Sequence, residues 1–264
     1  MPNARIINTE YNSAIALYGQ EQKWQVVSIT GLTPAAAQIN TTTHVNADGA
    51  EFNSARLQTR NIVVTLHLTN DPESARLQLE DALYPKAPVR FDWTGDTRGT
   101  LSAYGYVESF NADFYTIAQM VQISILCPDP FFYGANYATV VRQTNTIVNG
   151  ATRVMTGVRI TATIIDATSD GFEIINVNQG TRIFLEHAFE AGDVITIDTR
   201  RGRKSITVTR NGAEINVFGS ISEDSTFFGV RTGEAVLKYS TTSSAIYRET
   251  ADVTCHVVSC YAGV

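Results

Sequence analysis

The sequence predicts a mainly β protein of two domains, an α+β unit followed by an antiparallel β-sandwich of jelly-roll type. Three observations carry this. Short β-branched runs recur along the chain between Gly, Asn, Asp and Thr punctuation, with no repeat of fixed period. A single amphipathic helix interrupts them early. The stretch Cys127–Phe132 (CPDPFF) then separates a strand-rich, alternating segment from a second segment of different character. Its two prolines remove backbone donors and push Cys127 and Asp129 towards extended conformations. Phe131 and Phe132 offer apolar surface to anchor the chain as it leaves its sheet.

The first domain is expected over residues 1–132. Arg60–Leu68 (RNIVVTLHL) alternates cleanly, with Ile62, Val64, Leu66 and Leu68 on one face and Val63, Thr65 and His67 on the other. Leu101–Phe110 and Ala118–Cys127 read as two further strands. The helix is predicted over roughly 72–84: Asn70-Asp71 precede Pro72 at the first helical position, Glu73 sits in the first turn, and Pro85 stops it. Ala75, Leu79, Ala82 and Leu83 share one face. Thr33–Thr59 is too long for a structureless loop. Within it Ile39, Thr41, Thr43 and Val45 alternate, and Asp48-Gly49 signals a turn before Phe52, so the segment reads as a projecting hairpin or arm. It has few apolar residues to hold it on its own domain and is expected to pack on a neighbouring copy.

Residues 133–156, which include Asn149-Gly150, read as a connection, and 157–264 as the sandwich. Strands are predicted at Val158–Ile165, Gly171–Asn176, Thr181–Leu185, Asp193–Asp198, Ser205–Arg210, Glu214–Phe218, Thr226–Val230, Ala235–Ser240 and Ala251–Val258. The clearest unit is a hairpin with Ile195, Ile197, Ile206 and Val208 facing inward, followed by a tight turn at Asn211-Gly212.

Composition narrows the function. With 264 residues, 44% hydrophobic and 17% charged, the chain can bury sizeable cores. A net charge of −6 argues against broad capture of nucleic acid. No apolar run approaches the ~20 residues that span a bilayer. The N-terminus lacks signal-peptide character, and three cysteines fit a reducing compartment, so a chain made and kept in a cytoplasm is expected. Cys127 and Cys255 lie in phase with apolar strand positions and read as buried free thiols. Cys255, His256 and Cys260 do not make a zinc site, because strand neighbours face opposite ways and a structural site wants four ligands.

No GxSxG, HExxH, P-loop or GxGxxG constellation is present. Glu108, Asp113 and Asp129 have no spacing that singles them out as a glycosidase pair. The basic run Arg200, Arg201, Arg203 and Lys204 reads as a solvated turn. No catalytic residue, cofactor or metal ligand is therefore expected, and the chain reads as built for architecture. A carbohydrate-binding module assisting attachment to a host cell wall is the alternative, suggested by the sandwich but weakened by the lack of Trp in that half.

A resemblance sharpens this. The motifs that carry it in the first half are Ile29-Thr30-Gly31-Leu32, Asp48-Gly49-Ala50, Phe52-Asn53-Ser54, Arg60-Asn61-Ile62, Tyr84-Pro85-Lys86, Gly105-Tyr106-Val107-Glu108 and Cys127–Phe132. In the second half they are Ala191-Gly192-Asp193, Asn216-Val217-Phe218, Ser225-Thr226-Phe227-Phe228 and Ala262-Gly263-Val264. Their order along nearly the whole chain resembles the distal tail proteins of long, non-contractile-tailed bacteriophages, the siphovirus-type tail components.

The resemblance implies an N-terminal split β-barrel with a helix, a peripheral galectin-like sandwich, and a homohexameric ring at the distal end of the tail. It implies the tail tube protein and the tail-tip protein as partners, with receptor-binding proteins as further ones. DNA would be met only in transit through the channel, without membrane insertion. The place implied is the virion tail, assembled in the host cytoplasm. Ile39, His44, Asp48, Phe52, Arg60, Phe131 and Phe132 are the residues expected at the subunit or partner interface.

Overall fold

The computed structural model describes residues 3–19, 22–45, 48–113, 118–148, 154–231, 235–241 and 249–264. The predicted turn at Asn149-Gly150 lies outside the described residues. Two compact units emerge: residues 1–134 together with Tyr261–Val264, and Ala135–Cys260. Each has its own hydrophobic core. The architecture is mainly β, with several antiparallel sheets and one α-helix among the described residues.

In the first unit the strands are β1 (Asn3–Asn8), β2 (Ser13–Ala16), β3 (Trp24–Thr30), β4 (Ala37–Thr42), β5 (Glu51–Leu57), β6 (Arg60–Leu68), β7 (Pro88–Gly95), β8 (Gly99–Ala112) and β9 (Met120–Cys127), with α1 at Pro72–Ala82. Seven of them hydrogen-bond in the order β2-β1-β7-β8-β9-β6-β3, all antiparallel. Period-two patterning decides what they bury. On β6 the side chains of Arg60, Ile62, Val64, Leu66 and Leu68 are buried, while Val63, Thr65 and His67 are half-buried on the other face. Phe91, Leu101, Ala103, Val121, Ile123, Ile125 and Trp24 complete the same core.

Helix α1 lays Ala75 and Leu79 into that core, with Leu83 just beyond its end. It stops two residues before the predicted end. Pro85 disfavours helical geometry at Tyr84, and Leu83 has already left it, so Asn8 Nδ2 donates to the freed Ala82 carbonyl at 2.8 Å. Asp71 stands at the N-cap in a left-handed conformation (φ 46°) and its side chain makes no capping bond. The Pro at the first helical position, which needs no donor, stands in for that cap.

The second unit is built from β10 (Phe132–Val141), β11 (Thr146–Val148), β12 (Thr156–Gly157), β13 (Arg159–Ile164), β14 (Phe172–Asn176), β15 (Thr181–Leu185), β16 (Val194–Asp198), β17 (Ser205–Arg210), β18 (Ala213–Asn216), β19 (Gly229–Val230), β20 (Ala235–Thr241) and β21 (Ala251–Tyr261). One sheet runs β18-β17-β16-β13-β21-β10 and another β11-β20-β14-β15. Their inner faces share one core, to which Ile160, Ile195, Ile197, Ile206, Val208, Val253 and Cys255 come from the first sheet. Phe172, Ile174, Ile183, Leu237 and Tyr239 come from the second. The β16–β17 hairpin pairs Ile195 with Val208 and Ile197 with Ile206, all inward as expected. Asn211 and Gly212 both take positive φ (51° and 80°), the signature of a tight two-residue hairpin turn.

The sequence-based connection at 133–156 proves to contain β10 and β11. Its buried apolar anchors, Val141 and Val148, are widely spaced, and most of the described residues around them are exposed, so the alternation that marks a strand is lost. Two predicted strands are shorter than expected: Glu214–Phe218 ends at Asn216 before a short 3-10 turn, and Thr226–Val230 reduces to its last two residues. Cys127, Cys255 and Cys260 are all buried and are thiols, not disulfides.

Candidate functional site

β4 and β5 form a separate two-stranded sheet in which every residue is exposed. Ala37 pairs with Leu57 at the base and Thr42 with Glu51 near the tip, with a register shift between Asn40 and Thr41. Polar cross-strand links run along it. Arg56 grips Gln38 Oε1 at 3.0 and 2.8 Å, Asn40 Nδ2 donates to Ser54 Oγ at 3.0 Å, and Asn53 Nδ2 donates to Thr42 Oγ1 at 2.7 Å. His44 meets Glu51 at 3.2 Å. None of these residues belongs to either core. Yet Ile39 (61% exposed), Phe52 (64%) and Val45 present large apolar side chains to solvent. An isolated two-stranded ribbon is marginally stable in water.

The root of this hairpin is held by a different kind of site. Arg60 opens β6 and is only 2% exposed. Its Nε donates to the Pro130 carbonyl at 2.8 Å and Nη1 to the Thr33 carbonyl at 2.7 Å. Further short bonds reach the carbonyls of Gly31 and Ala262. The guanidinium also lies over the Phe132 ring, 4.4 Å from its centroid. Burial lowers the Arg60 pKa, although the group stays protonated at any ordinary pH.

One side chain thus ties together the entry to the hairpin (Gly31, Thr33), the Cys127–Phe132 stretch and the C-terminal residues. Gly31 is required here. Its φ is +81°, and a Cβ would fall 2.0 Å from the Asn61 carbonyl oxygen. The C-terminal residues are stitched further: Val264 N donates to Leu32 O at 3.1 Å, and Arg98 donates to Gly263 O at 2.9 Å while covering the Tyr261 ring.

The seven residues expected at an interface therefore separate. Ile39, His44, Asp48 and Phe52 lie exposed on or beside the hairpin. Arg60 and Phe132 are buried together at its root, inside the unit, so neither offers surface to another chain; Phe131 is half-buried. Sequence reasoning missed Gly31, Thr33, Pro130 and Ala262 as partners of Arg60. A signal existed, because Arg60 falls in phase with Ile62, Val64 and Leu66 on the buried face of its strand.

Two of the three acids weighed for chemistry, Glu108 and Asp129, accept structural hydrogen bonds. Glu108 accepts bonds from Asn61 and Ser124 at 3.1 and 2.8 Å, and Asp129 accepts from Phe131 N at 3.2 Å and Tyr133 Oη at 2.5 Å. At the basic turn, Arg200 pairs with Asp198, and Lys204 Nζ lies 5.0 Å from the Phe227 ring centroid. Among the described residues, no group of three or more His, Cys, Asp or Glu could hold a metal ion.

Residues 151–250 match the family model described as siphovirus-type tail component, C-terminal domain. No curated protein matches by sequence. The backbone is similar to the crystal structure of the Dit (gp 19.1) protein of phage SPP1, described as a paradigm of the hub adsorption apparatus in phages infecting Gram-positive hosts. The TM-score is 0.76 at 15% identity, covering 98% of this chain and 99% of that one. A chain of the phage P2 baseplate, in its activated conformation with Ca, aligns over 100% of both chains with a TM-score of 0.56 and 9% identity. At these identities the structural likeness speaks for the fold.

Proposed function

We propose that this chain, a siphovirus-type tail component of the Dit kind, forms a six-membered ring at the distal end of a phage tail, where the tube gives way to the tip. Proteins of this family are structural parts of the virion tail and baseplate hub, not enzymes. In the proposed ring the first unit, read as a split barrel with a helix, surrounds the channel. The second unit is read as a galectin-like sandwich. The partners are identical copies, the tube protein above and the tip protein below, with receptor-binding proteins carried at the periphery. The genome passes through without being gripped, in keeping with a net charge of −6.

The observation that carries this reading is the β4–β5 hairpin. It exposes Ile39, Phe52 and two strand edges while packing on neither core. Ring subunits meet head to tail through unlike surfaces, and a projecting ribbon received by the next copy supplies such a contact. The fitting experiment deletes Thr41–Glu51 from the full chain and compares light scattering and negative-stain images with wild type, each alone and with the tip protein. Six-fold rings are expected for wild type. The deletion should remain monomeric with an unchanged circular dichroism melt, since the hairpin adds nothing to the core. Intact rings from the deleted chain would overturn the assignment.

A further inference from the structure

The outer face of the second unit's larger sheet holds a concavity of about 350 Å³ lined by Asn136, Arg159, Thr161, Arg200, His256 and Val258. Strand register explains why these residues meet. On β13, Arg159 pairs with His256 of β21 on one side and with Asp198 of β16 on the other. Direct cross-strand partners stand within ~5 Å at Cβ. Thr161 lies two residues along the same face, and β10, the other neighbour of β21, brings Asn136.

Its described lining holds two guanidinium groups, Arg159 and Arg200, and no carboxylate. The neighbouring Asp198 carboxylate is already committed. The Arg200 side chain grips it with Nε at 2.9 and 3.1 Å and Nη2 at 2.5 Å, and the Arg200 backbone N–H adds a bond at 2.9 Å. Burial would raise the Asp198 carboxyl, but these bonds and the nearby Arg159 charge outweigh it and hold it low. Arg159, His256, Asn136 and Thr161 make no side-chain hydrogen bond to any described residue. Guanidinium, imidazole, amide and hydroxyl groups therefore border one hollow, in which the two arginines carry fixed positive charge and Asn136, Thr161 and His256 can each present a donor.

We propose that this hollow is a phosphate-binding site, taking the phosphate group of a larger ligand through Arg159 and His256, with Asn136 and Thr161 as neutral donors. Arg159 provides the planar fork suited to an oxyanion. Four kinds of donor match the several oxygens of a phosphate better than the two of a carboxylate. A volume of 350 Å³ exceeds a lone ion, so part of the ligand beyond its phosphate would rest beside Val258. The site is independent of the ring arrangement and lies within the second unit alone.

The test titrates the full-length protein with inorganic phosphate, glycerol 3-phosphate and acetate at constant ionic strength, followed by calorimetry and by amide shifts of labelled protein. Saturable binding of both phosphates is expected, with shifts centred on Arg159 and His256 and weaker binding of acetate. Arg159→Gln and His256→Gln should each reduce phosphate affinity about tenfold or more. Lys238→Gln, which lies on the other sheet, should leave it unchanged. All three variants should retain the wild-type spectrum elsewhere, since neither liganding side chain is part of the core. Shifts that do not saturate, equal binding of acetate, or unchanged affinity in Arg159→Gln would each refute the proposal.

Discussion

Replacing Arg60 with Met should remove the fastening at the root of the hairpin while nearly conserving side-chain volume. Four backbone carbonyls lose their donor: those of Gly31, Thr33, Pro130 and Ala262. At about 1.5 kcal/mol for each hydrogen bond from a charged group, and about 1–2 kcal/mol for the desolvated contact with Phe132, the gross loss is roughly 7 kcal/mol. Removing a buried charge returns several kcal/mol of desolvation, leaving about 3–4 kcal/mol of net destabilisation of the first unit. The assay is urea unfolding followed by tryptophan fluorescence, since both Trp24 and Trp93 lie in that unit. Two units need not unfold together, so the fluorescence transition is compared with the whole-chain circular dichroism transition. Deleting Ala262–Val264 gives the second arm of a double-mutant cycle, because Arg60 bonds Ala262 directly. The deletion should cost clearly less in the Arg60→Met background than in wild type. A Met variant within about 1 kcal/mol of wild type, or strict additivity with the deletion, would refute this account of the root.

Three further outcomes follow from local geometry. Gly105→Ala places a methyl group 2.4 Å from the Leu126 carbonyl oxygen and 2.9 Å from Cys127 Sγ. It should lower the stability of the first unit by about 2–3 kcal/mol, measured by the same urea titration. The Cys127 and Cys255 thiols are pushed up by burial to about 11 and about 12, so Ellman's reagent at pH 8 should modify neither until urea unfolds the chain. Rapid modification of the native protein would contradict the burial. Arg210 bonds Asp193 at 2.9 and 2.6 Å and holds its carboxyl below the ordinary value of 3.8. A depressed carboxylate contributes stability above that ordinary value and loses it as pH falls through the folded one. Acid unfolding of the second unit should therefore begin at higher pH in Arg210→Met, as followed by near-ultraviolet dichroism.

Legibility followed the strength of local alternation. The β16–β17 hairpin was readable to the residue because four inward Ile and Val positions and an Asn-Gly turn agree with one another. The arm was readable because Thr33–Thr59 carries alternation and a turn signal but too little apolar content for a core. What escaped was non-local. Strand β10 has few buried positions, so its backbone pairing left no pattern in the side chains. The return of Tyr261–Val264 to the first unit depends on carbonyls and two arginines, Arg60 and Arg98, far from them in sequence. Arg60 shows how the habit of reading charge as surface misleads: its phase said buried, its charge said exposed, and phase was right because backbone carbonyls can satisfy a guanidinium without any carboxylate.

That correction strengthens the assembly reading. A ribbon of exposed residues loses conformational freedom when a neighbour receives it, and this entropy opposes assembly. The loss is smaller when the ribbon already leaves its domain in a fixed direction. Here the direction is fixed at both strands of the hairpin: Arg60 follows β5 closely and binds the carbonyls of Gly31 and Thr33 that precede β4, while Gln58 N closes the base on Ala36 O at 2.8 Å. Gly31, barred from any larger residue by the Asn61 carbonyl, sets the bend. Residues once expected to touch the neighbouring subunit thus act one step earlier, by aiming Ile39 and Phe52. In the proposed ring, Arg60→Met should weaken assembly even though Arg60 itself meets no other copy, whereas Phe52→Ser should weaken assembly and leave the stability of the isolated chain unchanged.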